Sequence, residues 1–221
     1  MTAADTQAHQ PAPNRRLSAR VVGGIVAIAV LVAMALDTTY RKPGEATAGG
    51  REEFDPAAYG ETTFPKVAAA VEDGAVPLPT LVRALKADPE AAGEQYGKRQ
   101  GSSPYNFAIT GEGVAGEAEG GLLPVRVKGV PKDTQVSIQV GPAINGTALR
   151  DVTGTIEFGQ FLNQVEYAGA GTALNTEVKK QVLEGVDGAS LQGKTVSFSG
   201  AFTLIAPTSV TIVPTRLEVA G

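Results

Sequence analysis

Two short polar runs in the second half of the chain hold the residues that could carry chemistry. The first, GPAINGTALRD (141–151), sets Gly146 at a tight turn and Thr147 as the cap of a helical turn bearing Arg150 and Asp151. The guanidinium group of Arg150 is a planar fork of donors that suits an anionic or hydroxylated ligand. Adjacent side chains on a helix point about 100° apart, so we expect Arg150 and Asp151 not to pair. The alternative is a structural Arg150 that binds backbone carbonyl groups between a sheet and its helix.

The second run, FLNQVEYA (161–168), sets Asn163 and Gln164 beside Glu166 and Tyr167 on a predicted helix. Amide, carboxylate and phenol groups of this kind recognise hydroxyl groups in concave ligand sites. An amide pair next to an apolar stripe can equally bind backbone groups at the edge of a core, and this alternative stays open. The predicted ligand-binding group is made of Thr147, Arg150, Asp151, Asn163 and Gln164.

Composition limits the other chemistry that the chain could perform. It contains no cysteine, and its one histidine is His9, near the N-terminus. Thiolate and imidazole nucleophiles, bases and metal ligands are thus excluded from the rest of the chain. Glu112, Glu117 and Glu119 lie in a glycine-rich stretch that could suit calcium, but their spacing is not that of an EF-hand, and we expect a solvated turn. The sequence predicts no catalytic residue, no metal site and no cofactor.

An apolar run begins at Val21 and ends at Leu36, and Arg15, Arg16 and Arg20 precede it. Its sixteen residues would span about 24 Å as a helix, against roughly 30 Å for the bilayer core. The basic residues before it favour an N-terminus inside the cell. We therefore predict a single-pass anchor in the cytoplasmic membrane, with the C-terminal domain outside. The alternative is an export signal that is cleaved after Ala35.

Changes in composition predict the organisation of the chain. Residues before the apolar run are polar and include Pro11 and Pro13, and residues after it lack hydrophobic periodicity. The predicted segments are a disordered cytoplasmic tail (1–20), the transmembrane or signal-anchor helix (21–36), a linker (37–53) and one extracytoplasmic domain (54–221), which comprises a helical preface (54–100) and a barrel-like part (101–221).

The preface has the spacing of helices. Pro79 suits the first turn of a second helix, and Asp88-Pro89 suits the cap and first position of a third, which Gly97 ends. A first helix is predicted by apolar residues that recur three and four positions apart, namely Phe64, Val67, Ala68 and Val71.

In the remainder of the chain, apolar and polar residues alternate as they do in β-strands. Five alternating stretches include Phe107, Val125, Ile138, Val196 and Val210. A helical region that begins at Phe158 and ends at Gly185 separates the third stretch from the fourth, and Gly169 and Gly171 are expected to divide it.

Three strands, a helix and two strands follow the order of a five-stranded OB-type barrel. We therefore predict an α+β fold, with an N-terminal transmembrane helix, a short helical preface, and an OB-like small antiparallel β-barrel that has a helix between strands 3 and 4. Nucleic acid is not an expected partner, because strands 2 and 3 carry Arg126, Lys128 and Lys132 without aromatic residues for stacking.

From about residue 54 to 219 the chain resembles domain-of-unknown-function family 2291, the predicted periplasmic lipoproteins. The resemblance lies in FDPAAY (54–59), KADPEAAGEQYGKR (86–99), GPAINGTALRD (141–151), FLNQVEYA (161–168) and GKTVSFSGAF (193–202). It implies an extracytoplasmic, membrane-attached domain without assigned activity, whose relatives are often encoded beside sugar-uptake ABC transporters.

This chain departs from the family in two respects. It has no cysteine for lipidation, so the apolar run would have to anchor it. The family often carries arginine at the position of Asn145, and its absence here argues against anion binding by that turn.

Three functions follow as hypotheses. The first is a non-enzymatic accessory or binding module for a carbohydrate-type small-molecule solute or a component of a sugar ABC transporter. The second is a structural or scaffold protein whose helical preface binds a membrane protein. The third, which is less favoured, is a carboxylate-dependent glycan hydrolase, which would need two facing acids.

Overall fold

The structure is a computed structural model that describes residues 23–24, 28–34 and 53–220. The predicted disordered tail, the cleavage position after Ala35 and nearly all of the linker lie outside the described residues. The predicted membrane run is described only at 23–24 and 28–34, which are helical. None of the helices in the described ranges is long and apolar enough to cross a bilayer, so the anchor stays a prediction.

The helical preface forms as the sequence predicts. It contains α1 (Pro56–Gly74), α2 (Leu78–Ala87) and α3 (Pro89–Tyr96). Asp55 and Asp88 each accept two backbone N–H hydrogen bonds, and so cap α1 and α3. The predicted stripe of α1 faces inward, since Phe64, Val67 and Val71 are buried.

Seven strands form the sheet. They are β1 (Val76–Pro77), β2 (Gly97–Lys98), β3 (Asn106–Ala115), β4 (Leu122–Val127), β5 (Gln135–Gln139), β6 (Thr195–Thr203) and β7 (Ser209–Val219).

The five longer strands close into a barrel in the order β3-β4-β5-β7-β6. Antiparallel pairing of β3 with β6 closes the ring, whereas β5 and β7 run parallel. The short strands β1 and β2 both pair with β3. This is the strand order of an OB-type barrel, so the predicted fold is confirmed for this part of the chain.

The connection from β5 to β6 differs in detail from the prediction. It contains α4 (Ala148–Asp151), a 3-10 turn (Phe158–Gln160), α5 (Gln164–Glu177) and a π turn (Val178–Val182). No α-helix covers 158–163, where a 3-10 turn is followed by a fully extended Asn163. Phe158 and Val165 are exposed, so the apparent stripe is not a continuous buried face.

The glycines of α5 do not divide it, because they allow close packing. A Cβ atom at Gly169 would lie 3.1 Å from Cε1 of Phe54, and one at Gly171 would lie 3.6 Å from Thr147. Small residues thus let α5 approach its neighbours without interrupting the helix.

Two hydrophobic cores hold the domain together. The first fills the barrel, where Phe107, Phe198 and Ile212 pack against one face of α2. The second lies outside the barrel, where α1, α4 and α5 cover Ala108 and Ala201. Within the described ranges, the residues of both cores come from Phe54 onward, and Phe54–Gly221 is a compact unit of its own. A compact unit with its own cores is expected to fold as a domain.

Candidate functional site

The structure brings three of the five predicted site residues into one bonded cluster. The carboxylate of Asp151 accepts from Arg150 Nε at 2.7 Å, from Arg150 Nη2 at 3.1 Å, and from Thr147 Oγ1 at 2.7 Å. Arg150 Nη1 donates to the backbone carbonyl of Tyr167 at 3.2 Å. We call Thr147, Arg150, Asp151 and Tyr167 the Arg150 cluster.

Two predictions about this cluster were wrong. Arg150 and Asp151 do pair, because the long arginine side chain bends back across the four-residue helix and the 100° offset applies only near the backbone. Thr147 makes no side-chain capping bond to α4, since its hydroxyl donates to Asp151 instead.

The Arg150 cluster is largely buried and bonded within the protein. Nε, Nη1 and Nη2 of Arg150 all have acceptors, and its Cζ lies 3.7 Å from the centroid of the Tyr167 ring. The side chains of Arg150 and Asp151 are only 10% and 17% exposed. Burial, followed by the nearby Asp151 carboxylate, raises the pKa of the Tyr167 phenol. The geometry matches the structural alternative, in which Arg150 binds a backbone carbonyl group of the neighbouring helix.

Asn163 and Gln164 lie at the start of α5 and play different parts. The Asn163 side chain accepts from the N–H groups of Val165 and Glu166, so it caps the helix. Glu166 in turn accepts from the N–H of Leu162, which completes a capping box. Gln164 is exposed. The amide of Asn163 thus satisfies backbone groups, as the second alternative for this run expects.

A short hydrogen-bond relay connects the Arg150 cluster to the loop after α4. The hydroxyl group of Tyr167 donates to Gln100 Oε1 at 3.1 Å, and Gln100 Nε2 donates to the carbonyl of Ile156 at 2.8 Å. The cluster therefore holds the loop 152–156 from behind.

That loop forms one wall of a cleft of about 300 Å³. The opposite wall is α1, the floor is Ala108 of β3, and Tyr96 and Lys98 form one end. On α1 the cleft-facing residues recur at helix spacing and are small near the C-terminus, which leaves the space open. They are Thr63, Lys66, Val67, Ala70, Val71 and Gly74.

The cleft combines an apolar floor with a polar rim. Val67, Val71, Val152 and Ile156 supply buried apolar surface. Hydroxyl groups come from Thr63, Thr153, Thr155 and Tyr96, and ammonium groups come from Lys66 and Lys98. A ligand pocket typically has this composition, a largely apolar lining with a few polar groups.

Sequence reasoning missed the cleft because its lining comes from four separate stretches of the chain. A signal was present in α1, where Thr63, Lys66, Ala70 and Gly74 form a second stripe next to the buried one. The polar and small residues of that stripe are typical neither of a buried helix face nor of a highly charged surface.

The acidic stretch is only partly the turn that the sequence predicts, because Glu112 lies within β3 and Glu117 and Glu119 lie between β3 and β4. Glu112, Glu117 and Glu119 are all exposed. In the ranges that the structure describes, no group of three or more histidine, cysteine, aspartate or glutamate residues could hold a metal ion.

Comparison with known proteins agrees with this fold. A crystal structure titled as an OB-fold protein, from Thermotoga maritima, is 25% identical to the chain with a TM-score of 0.63, and the match covers 76% of this chain and all of the other. A search of curated proteins gives no similar sequence.

The family model of the predicted periplasmic lipoproteins matches residues 25–218. This description supports an extracytoplasmic location for the domain, and the match spans the cleft and the Arg150 cluster alike. The chain therefore belongs to domain-of-unknown-function family 2291, the predicted periplasmic lipoproteins.

Proposed function

We propose that the chain is a non-enzymatic accessory module outside the cytoplasmic membrane that binds a carbohydrate-type solute in the cleft between α1 and the loop 152–156. The observation that carries the proposal is the cleft itself, whose hydroxyl and ammonium groups surround an apolar floor. In this proposal Thr147, Arg150 and Asp151 act behind the loop, through Tyr167 and Gln100, and Asn163 caps α5.

The size of the cleft limits the ligand. A volume of about 300 Å³ is at the lower end of the usual range for ligand pockets. One sugar ring or a molecule of similar bulk is therefore the expected occupant. Tyr96 at one end offers an aromatic face and a hydroxyl group, both of which suit a sugar.

The two alternative functions find less support. In the part of the chain that the structure describes, no aspartate or glutamate lines the cleft, whereas a glycan hydrolase of the expected kind needs two facing acids. A scaffold role for the preface would need Ala68, Ala69 and Val71 to form an exposed patch on α1. Ala69 is exposed, but Val71 is fully buried and Ala68 is partly buried.

A thermal-shift screen of residues 53–221 against neutral sugars, sugar acids and sugar phosphates tests the proposal. A ligand at a hundredfold excess over its dissociation constant stabilises the folded state by about 2.7 kcal/mol. Ala70→Phe places a ring in the cleft and should abolish the shift. Ala69→Phe is the matched control, because Ala69 is exposed on the same helix but does not line the cleft.

Two results would count against the proposal. If wild type and Ala70→Phe shift equally, the ligand binds elsewhere. If no compound shifts the wild-type domain, a solute-binding role is wrong, and capture of membrane proteins by the full-length chain becomes the next experiment.

A further inference from the structure

The charge of the cleft is opposite in sign to that of the chain. The whole sequence carries 23 acidic and 19 basic residues, for a net charge of −4. Among the described residues, thirteen line the cleft, and they include two lysines and no carboxylate. A concave site with apolar walls concentrates the field of such charges, so anions are drawn to it.

The two lysines have no partner within the described part of the chain. The ion pairs there involve Lys86, Arg99, Arg150, Lys180 and Arg216, and neither Lys66 nor Lys98. The contrast with Arg150 is direct, because each nitrogen of that side chain is bound to an acceptor of the protein.

The backbone holds both lysines at the cleft. Lys66 lies on the third turn of α1, and Lys98 pairs with Asn106 in the ladder between β2 and β3. The Lys98 stem passes over Gly154, where a Cβ atom would lie 3.6 Å from Cδ. The backbone of Gly154 has a φ of +68°, a conformation that favours glycine. Since glycine has no side chain, the loop leaves space for the Lys98 stem.

From this arrangement we propose that the cleft selects a small organic anion, a carboxylate or phosphate on a sugar-sized body, whose charge binds Lys66 and Lys98 while the body lies on the apolar floor. This inference rests on the proposed function and adds the sign of the ligand's charge. Neutral sugars of the same shape would leave both ammonium groups without an acceptor.

Calorimetric titration of residues 53–221 with matched sets of probes tests the inference: hexoses, the corresponding hexuronates, and the hexose 6-phosphates. Only the charged members should bind, and their affinity should fall as the salt concentration rises. The carboxylate and phosphate sets show which anion is preferred. A charge-assisted hydrogen bond corresponds to about a tenfold to hundredfold change in affinity, so Lys66→Met and Lys98→Met should each weaken binding by about that factor.

Lys179→Met is the matched control, since Lys179 is exposed, forms no ion pair and does not line the cleft. The anion selectivity would be overturned if a neutral hexose bound as tightly as its acid and the lysine variants did not change that binding. If Ala70→Phe still blocked it, the cleft would remain the binding site. Failure of every probe to bind the wild-type domain would overturn the proposed function, and this inference with it.

Discussion

The Arg150 cluster and the cleft are adjacent in sequence and opposite in character. Residues 147–151 hold a cationic group whose three nitrogens each bind an acceptor of the protein, whereas the next five residues form a wall of a cleft lined by two lysines without an ion pair in the described part of the chain. Unusual polar residues in a sequence therefore need not mark the binding site, because a buried charge requires partners before it is tolerated at all. In this chain the conspicuous residues support one wall of the cleft, and generic residues line it.

The largest effect on stability is expected for Arg150→Ala. The variant removes the positive partner of the largely buried Asp151 carboxylate and the Nη1 donor to the Tyr167 carbonyl, which should lower the free energy of unfolding by about 2–4 kcal/mol. Urea unfolding of residues 53–221 measures the loss. The matched control is Arg126→Ala, at an exposed position on β4, which should change stability by less than about 0.5 kcal/mol. A stable Arg150→Ala domain that has lost ligand binding would restore Arg150 as a contact residue.

Gln100→Ala tests the link between the two regions. It removes one hydrogen bond to the Ile156 carbonyl and one from the Tyr167 hydroxyl, so we expect a loss of about 1–2 kcal/mol and weaker binding in the cleft. Gln160→Ala is the matched control, because it removes an exposed bond to the Thr155 carbonyl of the same loop. Equal effects on binding by the two variants would mean that the relay through Gln100 has no special part in shaping the wall.

Much of the scaffold could be predicted because its signals are local. Asp88 and Pro89 mark the start of α3 through their own capping chemistry, and the buried stripe of α1 repeats at helix spacing. The order of strands and helix was enough to indicate the barrel, since few topologies accommodate it.

The errors arose where a pattern depended on tertiary contacts. Phe158 and Val165 have helical spacing but are exposed, and Gly169 resembles a helix breaker but allows Phe54 to pack closely. The pairing of Arg150 with Asp151 depended on the length of the arginine side chain. The cleft escaped notice because Lys66 and Lys98, on different elements, become neighbours of one space only after folding.

Tyr167→Phe probes the closed region through its pH dependence. Removing the hydroxyl group should cost about 1 kcal/mol near neutral pH, since its hydrogen bond to Gln100 is lost. Burial and the Asp151 carboxylate raise the pKa of Tyr167 above its ordinary value of 10.0. As the pH rises above 10.0, the phenol of Tyr167 loses its proton more readily in the unfolded wild-type chain than in the folded one, so the unfolding free energy of the wild type falls. The variant has no phenol at this position, so its unfolding free energy lacks this pH dependence.

The difference in unfolding free energy between wild type and Tyr167→Phe should therefore shrink as the pH rises above 10.0. Urea midpoints measured between about pH 7 and 11 would show the convergence, because protonation linkage acts through the difference in bound protons. A constant gap across this interval would mean that the phenol ionises as readily in the folded chain as in the unfolded one, and the cluster would be more open to solvent than its contacts indicate.

The smallest and most discriminating comparison uses the two neighbouring amides at the start of α5. Asn163→Ala removes a helix cap and should lower stability by about 1 kcal/mol without a direct effect on ligand affinity. Gln164→Ala, at an exposed position, should change stability by less than about 0.5 kcal/mol. Unfolding and titration of both variants separate the roles: an affinity loss in Gln164→Ala at unchanged stability would place the ligand at the start of α5. Unchanged affinity in both would leave the cleft as the binding region and the amides as parts of its support.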